Sequence, residues 1–261
     1  MMRALNTAGA GMVAQQMNLD VIANNLANVN TTAFKQQRAE FQDLIYQNFR
    51  SSGAPTGGDS SVPEAAQIGL GSRFIASASS FAQGSVITTG NAYDLSIQGE
   101  GFFQVVKDGQ TLYTRDGSFK VDGNGSLVTT DGYPVEPAIS IPVGTTQIVI
   151  SPDGTVSGRP PGSNELQNLG QITVATFTNQ AGLMRLGQNL YAPSAGSGEA
   201  TIVTPGTQGA GQIQQYTLEA SNVQIVEEMV RMITAQRAYE INSKAIQTAD
   251  DMLGVLNNLK R

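Results

Sequence analysis

Hydrophobic positions repeat with helical spacing at both ends of the chain. Near the N-terminus, spacings of three and four alternate, which predicts a helix over residues 3–29. Near the C-terminus, apolar residues recur every seven, which predicts a second helix over residues 217–258. Both patterns are typical of a helix packed along partner helices. The positions are Leu5, Ala8, Met12, Gln15, Leu19, Ile22, Leu26 and Val29 at one end, and Leu218, Ile225, Met232, Tyr239, Ile246 and Leu253 at the other, where Asn222, Met229, Gln236, Ser243 and Asp250 alternate with them.

The middle of the chain follows a different pattern. From about residue 68 to residue 191, short alternating stretches are separated by turn-forming dipeptides. Asp108-Gly109, between Phe102–Lys107 and Thr111–Arg115, predicts a β-hairpin. The predicted fold class is therefore α+β. Long N- and C-terminal helices form a coiled-coil-like inner domain, and extended Gly/Ser/Pro-rich arms join it to a β-rich middle domain.

These patterns divide the chain into five predicted segments. Residues 34–50 fit either a helix or an extended arm. If the terminal helices lack partners in the monomer, protease should remove them and leave a core of roughly residues 40–215; if they pack onto this chain's own body, the full chain should resist. The segments are an N-terminal helix (1–35), a connecting arm (36–70), a β-rich outer domain (71–192), a return linker (193–216) and a C-terminal helix (217–261).

The C-terminal helix needs partners on more than one side. Val226, Val230 and Ile233 form a second apolar stripe beside the seven-residue repeat. A helix of this length gains most of its stability from packing, and one stripe is not enough. Two arrangements remain open: the helices join other copies in a polymer, or they pack onto this chain's own β body or onto each other. The first helix carries amides where a surface helix has charges, which favours a polymer.

Composition excludes several classes of function. The 261 residues have a net charge of −6, with no cysteine, histidine or tryptophan. No basic stripe is present for nucleic acid. Disulfides and thiolate metal sites are excluded, and the commonest general base is missing. No apolar run reaches the ~20 residues of a membrane helix, so direct membrane insertion is not expected. The N-terminus lacks the apolar core of a cleavable secretory signal.

The candidate chemical motifs are incomplete. Asp122–Ser126 starts like a calcium loop, but Leu127 and Tyr133 occupy the positions that require Gly and Glu. Gly99-Glu-Gly101 starts like a dinucleotide fingerprint, but Gln104 replaces the third glycine. The adjacent carboxylates 227/228 and 250/251 point in different directions on a helix. We therefore expect no catalytic residue, cofactor or metal, and no enzyme activity.

Several stretches resemble the bacterial flagellar rod and hook protein family. Gln15–Lys35 resembles its N-terminal signature, and Glu219–Val223 with Met232–Lys244 resembles its C-terminal signature. Gly99–Phe103 and Tyr113–Phe119 are similar to its β domain. The resemblance covers nearly the whole chain, and the paired terminal signatures are specific. Within the family, length and two further segments are most similar to the distal rod members. Those segments are Glu40–Gln47 and the stretch through Gln67–Gly71.

The resemblance implies a structural subunit of a rigid helical tube that crosses the periplasm in the flagellar basal body and transmits torque from motor to hook. It implies export by the flagellar type III apparatus without a cleavable signal. The implied partners are further copies of this chain, proximal rod proteins, the hook protein, a rod cap and the surrounding ring proteins.

The resemblance also assigns roles to residues. A segment around residues 46–71 is expected to stiffen the rod, and Leu26→Asp is expected to block assembly while the β body stays folded. Glu228, Arg231, Asn242 and Asp250 are candidates for a wet central channel. The expected assembly interface is Leu5, Ala8, Met12, Leu19, Ile22, Leu26, Val29, Leu218, Ile225, Met229, Met232, Tyr239, Ile246 and Leu253, and the expected stiffening arm is Tyr46, Pro55, Pro63, Ile68 and Leu70.

Three other functions stay open at this point. One is a proximal rod or hook subunit of the same family. Another is a secreted adhesin or effector with terminal coiled coils, whose oligomers would be small and closed. The last is an enzyme that uses carboxylates of the β domain.

Overall fold

The computed structural model describes residues 2–50, 64–145, 147–162 and 165–258. Its described part is α+β, with one N-terminal helix and one C-terminal helix around a β-rich middle, as predicted. Helix α1 spans Met2–Ala27 and helix α2 spans Ile225–Asn258. The coiled-coil arrangement and the Gly/Ser/Pro-rich arms stay predictions.

Two predicted helical positions lie outside the helices. Val29 lies in a turn that follows α1. Leu218 lies in a strand, Thr217–Glu219, whose outer two side chains are buried. The prediction that the last helix starts at residue 217 is therefore wrong. Leu218 fits the seven-residue repeat by coincidence, because its backbone pairs with Ile87 in a β-ladder.

The described residues form two compact units. The first, here called the helical unit, combines α1, residues 37–78 and the chain from residue 224 onward. The second, here called the β unit, combines Asn28–Gln36 with Ser79–Val223. The five-segment division drawn from the sequence stays a prediction.

The helical unit contains four strands besides its helices. Residues 34–50, which the sequence left as helix or arm, are largely extended. β1 pairs with β4 and β2 pairs with β3. These four strands are here called the hairpin of the helical unit, and Pro55 and Pro63 of the expected stiffening arm lie outside the described residues. The strands are β1 Gln37–Asp43, β2 Tyr46–Arg50, β3 Ala66–Gly69 and β4 Ser72–Ser79.

The β unit is built from short strands with tight turns. Two of them, Thr201–Val203 and Gln212–Gln215, lie in the segment that the sequence analysis describes as a return linker. A 3-10 helix spans Gln180–Gly182. The strands are β5 Val86–Thr88, β6 Leu95–Gln98, β7 Phe103–Lys107, β8 Gln110–Thr114, β9 Lys120–Val121, β10 Leu127–Val128, β11 Val135–Glu136, β12 Gln147–Ile150, β13 Thr155–Arg159, β14 Gln167–Gln171, β15 Val174–Thr176, β16 Met184–Gly187, β17 Leu190–Ala192, β18 Thr201–Val203, β19 Gln212–Gln215 and β20 Thr217–Glu219.

The strands of the β unit are antiparallel. The largest sheet has the order β11-β7-β8-β17-β16, and a smaller one has the order β12-β13-β14. β6 pairs with β19, β5 with β20, β15 with β18 and β9 with β10. The predicted hairpin is confirmed, since β7 and β8 pair through Lys107 and Gln110. Asp108 and Gly109 both have positive φ, as a tight two-residue turn requires.

Two apolar clusters form the core of the β unit. The larger contains Leu95, Ile97 and Phe103, and the ring of Phe103 meets that of Phe119 edge to face with centroids 5.1 Å apart. The smaller is mainly aromatic, with Phe102, Tyr113 and Phe177 at its centre. Adjacent Phe102 and Phe103 belong to different clusters, because successive side chains of an extended chain point to opposite faces.

Candidate assembly site

Helices α1 and α2 pack against each other in the helical unit through small and polar side chains. Asn25 of α1 donates a hydrogen bond from Nδ2 to Oε2 of Glu228 at 3.2 Å, and both residues are buried. A methyl group built at Gly11 would lie 3.0 Å from Nδ2 of Asn242. Asn25 and Gly11 are fourteen residues apart, and so are Glu228 and Asn242. The helices therefore run antiparallel and keep one register over about four turns.

The buried positions of α2 agree only in part with the pattern read from the sequence. Met232, Ile246 and Leu253 are half-buried, in line with the seven-residue pattern. Of the positions that alternate with them in the sequence, Met229, Gln236 and Asp250 are exposed and Ser243 is half-buried. The residues one position earlier are buried or half-buried, namely Glu228, Ala235, Asn242 and Ala249. A hydropathy pattern cannot reveal these four positions, because their side chains are small or polar. The small residues of α1, glycine and alanine, are the sequence signal that indicates close helix packing.

The suggestion that Glu228 faces a wet channel is wrong for this chain, whereas for the half-buried Asn242, and for Arg231 and Asp250, it stays a prediction. Glu228 is fully buried, and Asn242 lies against Gly11. Arg231 bonds to the carboxylates of Glu227 and Glu228 at 2.5 and 3.3 Å. The polar groups on this side of α2 therefore fix the helix pair.

An apolar row lies on the side of α2 that faces away from this packed side. Val226 is 76% exposed, and Val230 and Ile233 are about half exposed. Ile225, Met229 and Tyr239 of the expected interface are also exposed, whereas Leu5, Ala8, Met12, Leu19 and Leu26 of α1 are half-buried and Ile22 is buried. The second stripe seen in the sequence thus has no partner among the described residues of the isolated chain.

The hairpin of the helical unit runs along α1. Asn25 hydrogen-bonds both the N–H and the C=O of Gln37, each at 2.8 Å. A methyl group at Gly71 would lie 3.2 Å from Cβ of Ala10. The guanidinium of Arg3 lies 4.7 Å from the ring centroid of Phe49. Several apolar side chains of the hairpin are exposed, namely Ile45, Tyr46, Ile68 and Ile75, while Leu70 is half-buried.

The sequence motifs of the β unit converge on one buried carboxylate, that of Glu219. Its Oε1 accepts a hydrogen bond from Nζ of Lys35 at 2.6 Å, and its Oε2 accepts one from Nε of Arg115 at 2.8 Å. The N–H of Gly84 also donates to Oε1, at 2.9 Å. All three charged side chains are at most 5% exposed. Lys35, Arg115 and Glu219 thus form a buried ion triad.

The glycines of two motifs make room for this triad. Arg115 also donates to the carbonyl oxygens of Gly99 and Gly101, both of which have positive φ. Gly117 passes so close to β6 that a Cβ there would lie 1.7 Å from the carbonyl oxygen of Leu95. The motifs Gly99–Phe103 and Tyr113–Phe119 therefore hold Arg115 in place.

The pKa values of Lys35 and Glu219 are both shifted in the triad. Burial raises the pKa of the Glu219 carboxyl, but the charges of Arg115 and Lys35 and the hydrogen bonds it accepts outweigh burial, so its pKa lies below the ordinary value. Burial lowers the pKa of the Lys35 ammonium, and Glu219 offsets only part of that effect. The carboxylate is thus stabilised in its charged form by both cations.

A cavity of about 220 Å³ lies beside the triad. Lys35, Arg115, Phe81 and Phe102 line it, together with Gln83, Glu100 and Gln180. In the described part of the chain, no cluster of acidic side chains has the arrangement of a metal site. No described helix is long and apolar enough to cross a membrane.

Sequence reasoning missed the triad. Lys35, Arg115 and Glu219 each lie in one of the family-like stretches, but they are far apart along the chain, so no local charge pattern indicates that they meet. The expected protease-resistant core of residues 40–215 omits both Lys35 and Glu219, so it does not match the β unit.

Comparison with known proteins gives three matching family models. Residues 5–35 match the model described as flagella basal body rod protein. Residues 96–158 match the D1 domain of the flagellar hook protein FlgE/F/G, and residues 214–259 match the C-terminal part of the flagellar basal body rod FlgEFG protein. These spans contain Lys35, Arg115 and Glu219, respectively.

Full-length relatives match the chain from end to end. Flagellar basal-body rod protein FlgG of Borreliella burgdorferi is 52% identical, covering 100% of both chains. FlgG of Bacillus subtilis is 40% identical, again covering 100% of both. The flagellar hook-basal body complex protein FlhP of Bacillus subtilis is 30% identical over the same coverage. Within one organism, similarity to FlgG thus exceeds similarity to FlhP.

Proposed function

The chain belongs to the FlgG family of flagellar basal-body rod proteins, and we propose from this premise that it is a structural subunit of the distal rod. Copies assemble through their terminal helices into a rigid helical tube. The tube acts as a drive shaft that carries torque from the motor to the hook. We assign no catalytic role to any residue.

The observation that carries this proposal is the exposed apolar row on α2. Val226, Val230 and Ile233 lie on a helix whose other side is already packed against α1. Exposed apolar rows on this scale mark interaction surfaces. A helix that has used one side within its own chain and keeps a second apolar side suits a subunit enclosed by neighbouring copies.

The assembly interface remains the predicted set of terminal residues, with two changes. Leu218 is removed because it belongs to β20, and Val226, Val230 and Ile233 are added because they are exposed and apolar. Leu5, Met12, Leu19, Ile22 and Leu26 take part through the helix pair that they stabilise.

The hairpin of the helical unit is proposed as the stiffening arm. Support comes from its contacts along α1 and from its exposed apolar side chains, which include Tyr46 and Ile68. In a tube, these side chains would pack against neighbouring copies and resist bending. Pro55 and Pro63 are part of the proposed arm but lie outside the described residues.

The proposed location is the rod of the flagellar basal body in the periplasm, reached through the flagellar export apparatus without a cleavable signal. The proposed partners are this chain itself, proximal rod proteins, the hook protein, a rod cap and the surrounding ring proteins. Family membership supports these assignments.

The test is a charge placed in the apolar row. Val230→Asp should abolish rod assembly and motility in cells that carry it as their sole copy, because the charge would be buried between subunits. The unfolding free energy of the monomer should change by only about 0.5 kcal/mol or less, as for other exposed positions. Electron microscopy of isolated basal bodies and urea denaturation of the purified chain measure the two effects.

A matched control separates assembly from a general effect of charge. Ile202 of the β unit is 59% exposed and apolar, like Val230. Ile202→Asp should leave rods intact. Normal rods with Val230→Asp would refute a role for this side of α2. Leu26→Asp is less informative, because Leu26 is half-buried and the change would also disturb the helix pair.

A further inference from the structure

Five consecutive residues, Thr32–Gln36, lie in a groove of the β unit. They belong to no helix or strand, yet every one of them is buried or half-buried. The groove, here called the docking groove, is formed by Ser80, Ala82, Arg185, Asn189, Glu219 and Asn222.

The backbone of the segment starts in a turn, in which Ala33 has positive φ, and forms several hydrogen bonds to the groove. The N–H of Ala33 donates to the carbonyl oxygen of Glu219 at 2.8 Å, and the N–H of Ser80 donates to that of Gln36 at 2.8 Å. The side chain of Asn222 accepts from the N–H of Gln36 at 2.6 Å and donates to the carbonyl oxygens of Ser80 and Ala82. The groove therefore binds the backbone of the segment through hydrogen bonds that do not form a regular sheet.

The side chains of the segment are recognised as well. Nζ of Lys35 bonds to Glu219 and also to the carbonyl oxygen of Ala82 at 2.9 Å. The guanidinium of Arg185 lies 5.6 Å from the ring centroid of Phe34 and donates to the carbonyl oxygen of Lys35 at 2.9 Å. Asn189 donates to the carbonyl oxygen of Thr32 at 3.2 Å. The contacts select an aromatic residue followed by a lysine.

The charge balance shows that the groove does not need the segment for its own pairing. Arg115 neutralises Glu219 at 2.8 Å, and Gly84 adds a backbone donor. Lys35 is a second cation at a carboxylate that already has one. A buried pair that is complete without Lys35 can persist in its absence, whereas a pair that has lost its only partner could not.

We propose that the docking groove is a peptide-binding site, and that Thr32–Gln36 is its ligand, supplied here by the same chain. The ligand class is a peptide with a small residue, an aromatic residue and a lysine in succession, whose small residue lies in a turn with positive φ. Docking of this segment completes the β unit after the rest of that unit has folded. The inference does not depend on the proposed rod function.

The test supplies the ligand as a separate molecule. In the full-length chain, residues 32–36 are replaced by five alternating Gly and Ser residues, and a fluorescein-labelled synthetic peptide with the sequence of residues 30–38 is added. Fluorescence anisotropy should show saturable binding to this variant. Binding to the unaltered chain should be at least about ten-fold weaker, because its own segment occupies the groove at an effective concentration in the millimolar range.

Two altered peptides serve as a matched pair. The peptide carrying Lys35→Met should bind at least about ten-fold more weakly, because Glu219 loses a charge-assisted hydrogen bond. The peptide carrying Arg38→Met should bind within about two-fold of the original, since the Arg38 side chain is 73% exposed. Equal affinity of all three peptides would overturn the proposal.

Folding of the variant gives the remaining outcomes. Near-ultraviolet circular dichroism of its tyrosines reports whether the β unit is packed. A packed variant that does not bind the peptide would show that the groove is not a peptide-binding site. A variant that stays unpacked even with saturating peptide would show that the segment is core rather than ligand. A variant that is packed without the peptide and binds it would support the proposal, whereas a variant that packs only with the peptide would show that the groove does not form before docking and would overturn it.

Discussion

In the β unit, apolar side chains close into two cores and the charged side chains at its centre pair with one another, whereas in the helical unit α2 leaves a whole apolar row in solvent. Val226, Val230 and Ile233 are 76%, 55% and 48% exposed, whereas Leu95, Ile97 and Phe103 are fully buried. The first unit needs no further surface to satisfy its interior. The second is built like part of a larger core, which is what a polymer of this chain would supply.

The two units also differ in how they hold a buried carboxylate. Glu219 is bonded to two cations that are themselves buried. Glu228 of the helical unit is equally buried, but its contacts include the neutral amide of Asn25 and the half-exposed Arg231. Glu219 therefore belongs to a fixed ionic centre, whereas Glu228 mainly sets the register of two helices.

The largest effect is expected from removing the charge of Glu219. Glu219→Gln leaves Lys35 and Arg115 buried without a counter-charge, and should lower the unfolding free energy of the β unit by about 3–5 kcal/mol. Glu228→Gln keeps an acceptor for the amide of Asn25 and should cost only about 1 kcal/mol. Urea denaturation measures both, and equal losses would contradict the distinction between the two carboxylates.

Acid should weaken the β unit through the same carboxylate. The pKa of Glu219 is lowered in the folded state, so its contribution is present above the unfolded-state pKa of about 4.3 and is lost as the pH falls through the lower folded-state pKa. The difference in unfolding free energy between the unaltered chain and Glu219→Gln should shrink as the pH falls below about 4.3, because a protonated Glu219 resembles glutamine. A difference that stays constant down to that range would argue against the pairing.

The sequence predicted the elements that depend on local pattern. The helix at the N-terminus follows from its three–four spacing, and the β7–β8 hairpin follows from Asp108-Gly109, whose backbone needs positive φ. The start of α2 was missed because Leu218 satisfies the helical repeat although it pairs in a strand. Periodicity alone cannot distinguish the two.

The site residues that the sequence did not predict depend on contacts between distant segments. Lys35, Arg115 and Glu219 come from three distant parts of the chain: the segment after α1, the segment after β8, and strand β20. They meet only when these parts pack together. The packed side of α2 was not predicted for another reason. Its residues contribute shape and hydrogen bonds rather than hydrophobicity; they are Glu228, Ala235, Asn242 and Ala249. A hydrophobic repeat identifies only the apolar contacts of such a helix pair.

The smallest effect is expected from replacing two glycines of α1 by alanine, one on its open side and one on the side packed against α2. A methyl group at Gly9 meets nothing within 4 Å, so Gly9→Ala should raise the stability of the helical unit by up to about 1 kcal/mol through helix propensity alone. Gly11→Ala gains the same propensity but places its methyl 3.0 Å from Nδ2 of Asn242, which must shift. The propensity gain should therefore be reduced or lost at Gly11. Circular dichroism during thermal unfolding compares the two variants, and an equal gain at both positions would mean that α1 and α2 are not in close contact at Gly11.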